Sequence, residues 1–148
     1  MKIILLMISV LFAIGCAKDY TGKPVEYARL CDKENNKQMV EVTGFFKHDG
    51  SAMCSKSGSD PMRCPVKFVD NPDNPNPPSA SIDLGSGKSS IENVEGKGLV
   101  IHDEKVQVVA AADKVKVTAE VFVSSAPPSP DIKTAPCVLT VKKIEKIN

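Results

Sequence analysis

Apolar residues are spread along this chain in different ways, and each distribution predicts a different element. In residues 3–14 they form a continuous run broken only by Ser9. In residues 21–38 they thin to Val25, Ala28 and Leu30, with Pro24 ahead of them and Asn35 and Asn36 behind. Pro is tolerated in a first helical turn, so this spacing predicts a short helix, too brief to stand without packing on the domain. From Met39 the period falls to two. Val40, Val42 and Phe46 share one face, Glu41, Thr43 and Phe45 the other, and Gly44 between them predicts a bend or bulge. Strands are also predicted over residues 64–70, 79–87 and 104–110. The clearest alternation is in residues 113–123, where Val115, Val117, Ala119, Val121 and Val123 face a core and Lys114, Lys116, Thr118, Glu120 and Phe122 face water. Residues 137–147 close the chain as a last strand. The stretches "DNPDNPNPPS" and "SSAPPSPD" are too rich in Pro to be strand interiors and read as exposed loops.

The opening apolar run of about 12 residues is too short to cross a hydrocarbon core, which needs roughly 18 or more. Lys2 before it and small residues after it read as a secretory signal. The run ends in "AIGC", Ala13 to Cys16. This resembles the lipobox of bacterial lipoproteins, with Gly15 small enough for the peptidase and Cys16 as the thiol to be acylated; Ala13 stands where Leu or Val is usual. The resemblance implies a signal peptide over residues 1–15, a lipid-anchored tether with the short helix over 16–38, and a domain over 39–148. It implies attachment to a membrane through palmitate-type acyl chains on Cys16. Ala17, which is not Asp, favours an outer membrane with the domain facing the periplasm.

Loss of Lys2 with the signal lowers the formal charge from +1 to 0. A neutral domain lacks the cationic footprint that phosphate backbones require and has no polybasic grip on a membrane. Once Cys16 is acylated, Cys31, Cys54, Cys64 and Cys137 remain. An even count in an exported chain implies disulfides, and four cysteines allow three connectivities. Cys54 and Cys64 bracket the loop "SKSGSDPMR", which favours a staple there and leaves Cys31 for Cys137. A zinc site is disfavoured, since no Cys-x-x-Cys occurs and neither His48 nor His102 sits at ligand spacing.

The stretches "VEVTGFF", "DKVKVTAEVFV" and "CVLTVKKIEKI" are similar to the first, fourth and fifth strands of small exported bacterial OB-fold proteins, with Ala119 where that pattern often has a Gly. The resemblance implies an all-β, five- to six-stranded OB-like barrel with a short N-terminal helix. A β-sandwich is the alternative that the same alternation permits.

Several motifs invite a chemical reading. "GSGKSS" lacks the first Gly of a phosphate-binding loop, since Ile82 stands in its place, and no long helix follows, so residues 85–90 read as a barrel loop. Asp70 and Asp73 lack the alternating acids of a calcium loop. His48 beside Asp49 reads as a surface turn rather than a catalytic pair, and Asp103 and Glu104 are expected to face solvent. OB-folds bind nucleic acids and sugars on one sheet face and its loops, which requires stacking aromatics and gathered cations. Phe45, Phe122, Lys114 and Lys116 are the candidates for such a face, with Phe68 also available, and Trp is absent. The expectation is a non-catalytic binding or structural module of the cell envelope, not an enzyme. It needs no cofactor or metal, its partner is an envelope protein or a small ligand, and nucleic acid is not expected. An oligosaccharide or nucleic-acid binder is the alternative, and a hydrolase is less favoured because no base stands beside a nucleophile.

Overall fold

The computed structural model describes residues 19–71, 73–125 and 136–147. The predicted signal, Cys16 and most of the second Pro-rich loop lie outside them. The elements are β1 (Lys23–Pro24), β2 (Met39–Lys47), β3 (Arg63–Val69), β4 (Ser79–Leu84), β5 (Ser90–Val94), β6 (Gly98–His102), β7 (Val108–Val109), β8 (Val115–Val123) and β9 (Cys137–Lys146).

Five of these strands close on themselves in the order β2, β3, β4, β9, β8 and back to β2. Every pairing is antiparallel except that of β4 with β9, which is parallel. This is a small OB-like barrel, and closure leaves its five strands without free edges. Period-two alternation fills it: Val40, Val42, Phe46, Val66, Phe68, Ile82, Val117, Val121, Leu139 and Ile144 are all buried.

Gly44 is the corner of the barrel. β2 pairs with β8 from Met39 to Gly44 and with β3 from Phe45 to Lys47, so the strand changes partner there. A Cβ on Gly44 would sit 2.7 Å from the Phe68 ring and 2.7 Å from the Val69 carbonyl oxygen. Only glycine lets Phe68 pass over the bend.

The predicted short helix is replaced by two single 3₁₀ turns, Tyr27–Arg29 and Lys33–Asn35. Two captures explain the difference. Lys23–Pro24 lies parallel beside β2, and the Val25 N–H donates to the Glu41 carbonyl, so no N–H is left there for a helical ladder. Buried Asn35 then donates its side-chain amide to the Arg29 carbonyl, competing with the backbone as Asn does. The disulfide Cys31–Cys137 fastens this segment to the start of β9. The second bridge is Cys54–Cys64, so both favoured pairs form.

Residues 104–110 are strand only at Val108–Val109. Asp103 is the cause: it is buried, and its carboxylate accepts from the Lys105 and Gln107 N–H groups at 2.9 and 2.8 Å, which winds the chain into a turn. Asp103 therefore does not face solvent. Residues 85–89 are a loop, and beyond them the unpredicted β5 pairs with β6 and buries Ile91, Leu99 and Ile101 as an annex to the barrel. Thr118, expected to be wet, is buried at the bulge between β8 and β9.

Candidate functional site

Where β2 and β3 part, the barrel wall opens. The two strands pair only at Phe45–Val69, Phe46–Phe68 and Lys47–Lys67. Beyond Lys47 the chain leaves as a long loop, whose Ser55 exchanges backbone hydrogen bonds with Arg63. Arg63 thus presents its N–H to the β2 side of β3, and Pro65, two residues on, presents the same side. Pro65 has no N–H to offer, so the ladder between β2 and β3 cannot continue past Lys67. The Cys54–Cys64 bridge holds the departing loop at this point, with its Cα atoms 4.1 Å apart.

The gap is a cleft of about 490 Å³. Lys47, His48 and Asp49 form one wall, Pro65 and Lys67 the floor, and Pro75, Asn76 and Pro77 the opposite rim. Lys47 and Lys67 are direct cross-strand partners, so both leave the sheet on the same face. Among the described residues the one acid of the lining is Asp49. Its carboxylate accepts from the Ser51 N–H at 3.1 Å and the Ser51 hydroxyl at 3.3 Å. These bonds, and secondarily Lys67, hold its carboxyl below the usual range. Ser51, His48 and Asp49 do not form a triad. The Ser51 hydroxyl is committed to Asp49, and the buried Nδ1 of His48 has no hydrogen-bond partner among the described residues. A triad needs the imidazole between the other two groups.

A second hollow of about 300 Å³ adjoins the first and shares Lys47 with it. It is lined chiefly by Phe45, Val69, Ala111 and Ala112, and is almost wholly apolar. Phe45 is half-buried here, on the outer side of β2.

Of the four residues proposed for a ligand face, Lys114 and Lys116 flank the partner of Gly44 and so lie near Phe45, while Phe122 stands apart. Phe122 lies seven residues along β8 from Val115, the partner of Gly44, which puts roughly 23 Å between it and the Phe45 end. Phe122 instead sits opposite Val138, and both are exposed. Lys114 is exposed near the start of β8. Lys116 is engaged: its ammonium lies 2.9 Å from Glu145 and 4.0 Å from Glu41. The Glu145 contact, more than the opposing effect of burial, raises its pKa above the ordinary lysine value. Lys143 continues the ladder, 3.5 Å from both Glu145 and Glu104. Phe68 is fully buried against Phe46 and Tyr27 and offers no face.

Sequence reasoning missed Lys47, Lys67 and Pro65. Both lysines stand at polar positions of predicted strands, but their pairing depends on a register set across the whole stapled loop. Pro65 inside a predicted strand was the readable signal. Among the described residues no group of three or more His, Cys, Asp or Glu side chains could hold a metal ion, and no helix is long and apolar enough to cross a membrane.

No protein-family model matches the chain, and no curated protein matches it. Among solved structures, it is similar to one named "putative aspartyl-tRNA synthetase from Leishmania major Friedlin", at 15% identity and a TM-score of 0.46. The match covers 90% of this chain and 22% of that one. A likeness at that level carries no argument about activity.

Proposed function

We propose that this protein is a lipid-anchored component of a bacterial cell envelope whose barrel is a non-catalytic binding module. The observation that carries the anchoring is "AIGC" at the end of a short apolar run, with Gly15 and Cys16 in the lipobox positions. Two disulfides in the folded domain support export, since such bridges persist in oxidising compartments. Two acyl chains give a stable anchor at about 0.8 kcal/mol per buried CH₂, where one chain binds reversibly. With Ala17 after the acylated Cys16, the protein is assigned to the outer membrane, facing the periplasm.

The cleft between β2 and β3 supports the binding role. It is concave, it pairs two cations at a cross-strand position, and its serine, histidine and aspartate lack the bonds of a catalytic relay. A small ligand fits it better than a polynucleotide, because no Phe, Tyr or Trp among the described residues lines the cleft and stacking needs several rings in a row.

The anchoring is tested by Cys16→Ser with membrane fractionation and mass spectrometry of the N-terminal peptide. The parent should carry a diacylglyceryl group on Cys16. The variant should be soluble or remain an unprocessed precursor. A Ser variant that is matured and membrane-bound like the parent overturns the anchoring.

A further inference from the structure

Residues 103–109 form a tight hairpin whose tip is apolar and exposed. Asp103 builds it. Its buried carboxylate accepts from the Lys105 and Gln107 N–H groups, and its carbonyl accepts from the Val106 N–H at 3.0 Å. Its own N–H donates to the Gln107 carbonyl at 2.9 Å. The turn holds Val106 at a φ of 61°, a left-handed conformation that is an outlier for a β-branched residue. A glycine would adopt it freely. The core does not require a valine there either, because Val106 is 50% exposed and Val108 beside it 56%.

The hairpin also stands beside Asp19. The Glu104 N–H donates to the Ile144 carbonyl at 2.8 Å, which docks the turn on β9. One residue earlier on β9, the Lys143 ammonium lies 3.5 Å from Glu104 and 3.9 Å from Asp19. At the far end of the hairpin the Lys146 ammonium donates to the Val108 carbonyl at 3.1 Å. Asp19 is three residues from Cys16, and three Cα–Cα steps reach at most about 11 Å. With Cys16 acylated, Asp19 can therefore stand no more than about that far from its point of attachment.

We propose that the tip of this hairpin, Val106 and Val108, inserts into the interface of the membrane that carries the lipid anchor. The inference rests on the anchoring reading and adds to it the surface that the domain turns to the bilayer. Lys105 and Lys114 are exposed at either end of the segment, where their ammonium groups can meet phosphate headgroups while the valines go deeper. Two half-exposed valines are too small an area to hold a protein on a membrane alone. Once the lipid has brought the domain to the surface, they need only orient it. Exposure by itself would choose another place. Met53 is 90% exposed, the most exposed large apolar side chain among the described residues. It lies on the loop that Cys54–Cys64 staples to β3, and β3 borders neither β8 nor β9 in the barrel. The short tether at Asp19 favours the hairpin instead.

The test places single tryptophans in the full lipidated protein, reconstituted in vesicles of phosphatidylethanolamine and phosphatidylglycerol with or without bromine on the acyl chains. The chain has no Trp of its own, so each variant carries one reporter. Val106→Trp and Val108→Trp should each lose at least about half of their emission to the brominated chains, as expected for a ring at the boundary of headgroups and acyl chains, and Met53→Trp should lose less than about a tenth. Mass spectrometry of the N-terminal peptide is read on the same samples. With the diacylglyceryl group present on Cys16, quenching of neither hairpin variant beyond that of Met53→Trp overturns the inference and leaves the anchoring intact. Blue-shifted emission from the hairpin variants without quenching marks a protein occupant, such as a second copy of the chain, and overturns the bilayer. Recovery of the chain without a diacylglyceryl group on Cys16 overturns the anchoring and the inference with it.

Discussion

On the outer face of β2, β8 and β9, Lys116 reaches Glu145 and Glu41, while Lys143 reaches Glu145 and Glu104. On the face where β2 meets β3, Lys47 stands opposite Lys67, with Asp49 as the one acid among the described lining residues. Both faces carry lysines on outward positions of the same barrel. In the first, acids alternate with the lysines across three strands, so charge is compensated within the protein. In the second, the strand pairing stops at Pro65 and the two lysines line a cleft. A lysine's position on an exposed strand face therefore says little about binding until its cross-strand neighbours are known.

The largest expected effect concerns what holds both faces in register. Cys31 and Cys137 are 106 residues apart in sequence, and a chain-entropy account gives such a bridge about 4–5 kcal/mol. Replacing both by Ala should lower the urea midpoint strongly and loosen the barrel as a whole. Cys54–Cys64 spans 10 residues and should contribute about 3 kcal/mol by the same account. Its removal separates the two faces: amide exchange should speed up at the cleft residues Lys47 and Lys67 while the ion-pair ladder stays protected. Equal midpoints for the two double variants would break the loop-length argument.

Acid should act mainly on the ladder. Burial alone would raise the Glu145 carboxyl, but Lys116 and Lys143 beside it outweigh burial and hold it below the usual range. Asp113 is held low by the Lys146 ammonium, 2.7 Å away, and then by the Ala110 N–H. A carboxyl depressed in the folded state contributes stability that is fully present above its unfolded pKa of about 4. That stability is lost as pH falls through the folded value. Urea midpoints should therefore fall between pH 5 and pH 2. Glu145→Gln should cost up to about 1 kcal/mol at neutral pH and flatten part of that fall, the scale of a partly exposed ion-pair network. A variant as acid-sensitive as the parent would remove Glu145 from the account.

The smallest effect sharpens the contrast. Lys67→Gln should leave stability within about 0.5 kcal/mol of the parent, the range of ordinary surface substitutions, because it breaks no ladder. A loss comparable to that of Glu145→Gln would mean that Lys67 is structurally engaged.

Much of the barrel was legible in the sequence. Val40, Val42 and Phe46 in β2, and Val115 to Val121 in β8, alternate so regularly that one face had to be buried. Gly44 marked the corner. The bracketed loop indicated Cys54–Cys64, and elimination then favoured Cys31–Cys137. Asp103 was not legible, since an acid between two predicted elements looks solvated unless its backbone partners are known. The β5–β6 annex was hidden because "GSGKSS" and "VEGKG" dominate a short apolar pattern of Ile91, Leu99 and Ile101. Grouping Lys116 with Phe45 and Phe122 relied on strand parity alone. Parity gives the face of a residue but not its distance along the strand or its ion-pair partners. The cleft lay beyond reach because the Lys47–Lys67 pairing spans a sequence separation of 20 and depends on where the ladder stops.

The most direct test of the central claim, that the working surface is the β2–β3 seam and not the β2–β8–β9 face, is residue-resolved amide chemical-shift mapping of the domain during titration with a panel of small anionic and neutral molecules. The account predicts saturable shifts confined to Phe45, Lys47, His48, Lys67 and Val69 and the neighbouring Ala111 and Ala112, with Lys116, Phe122 and Lys143 unmoved. Shifts centred on Lys114, Lys116 and Phe122 would contradict it.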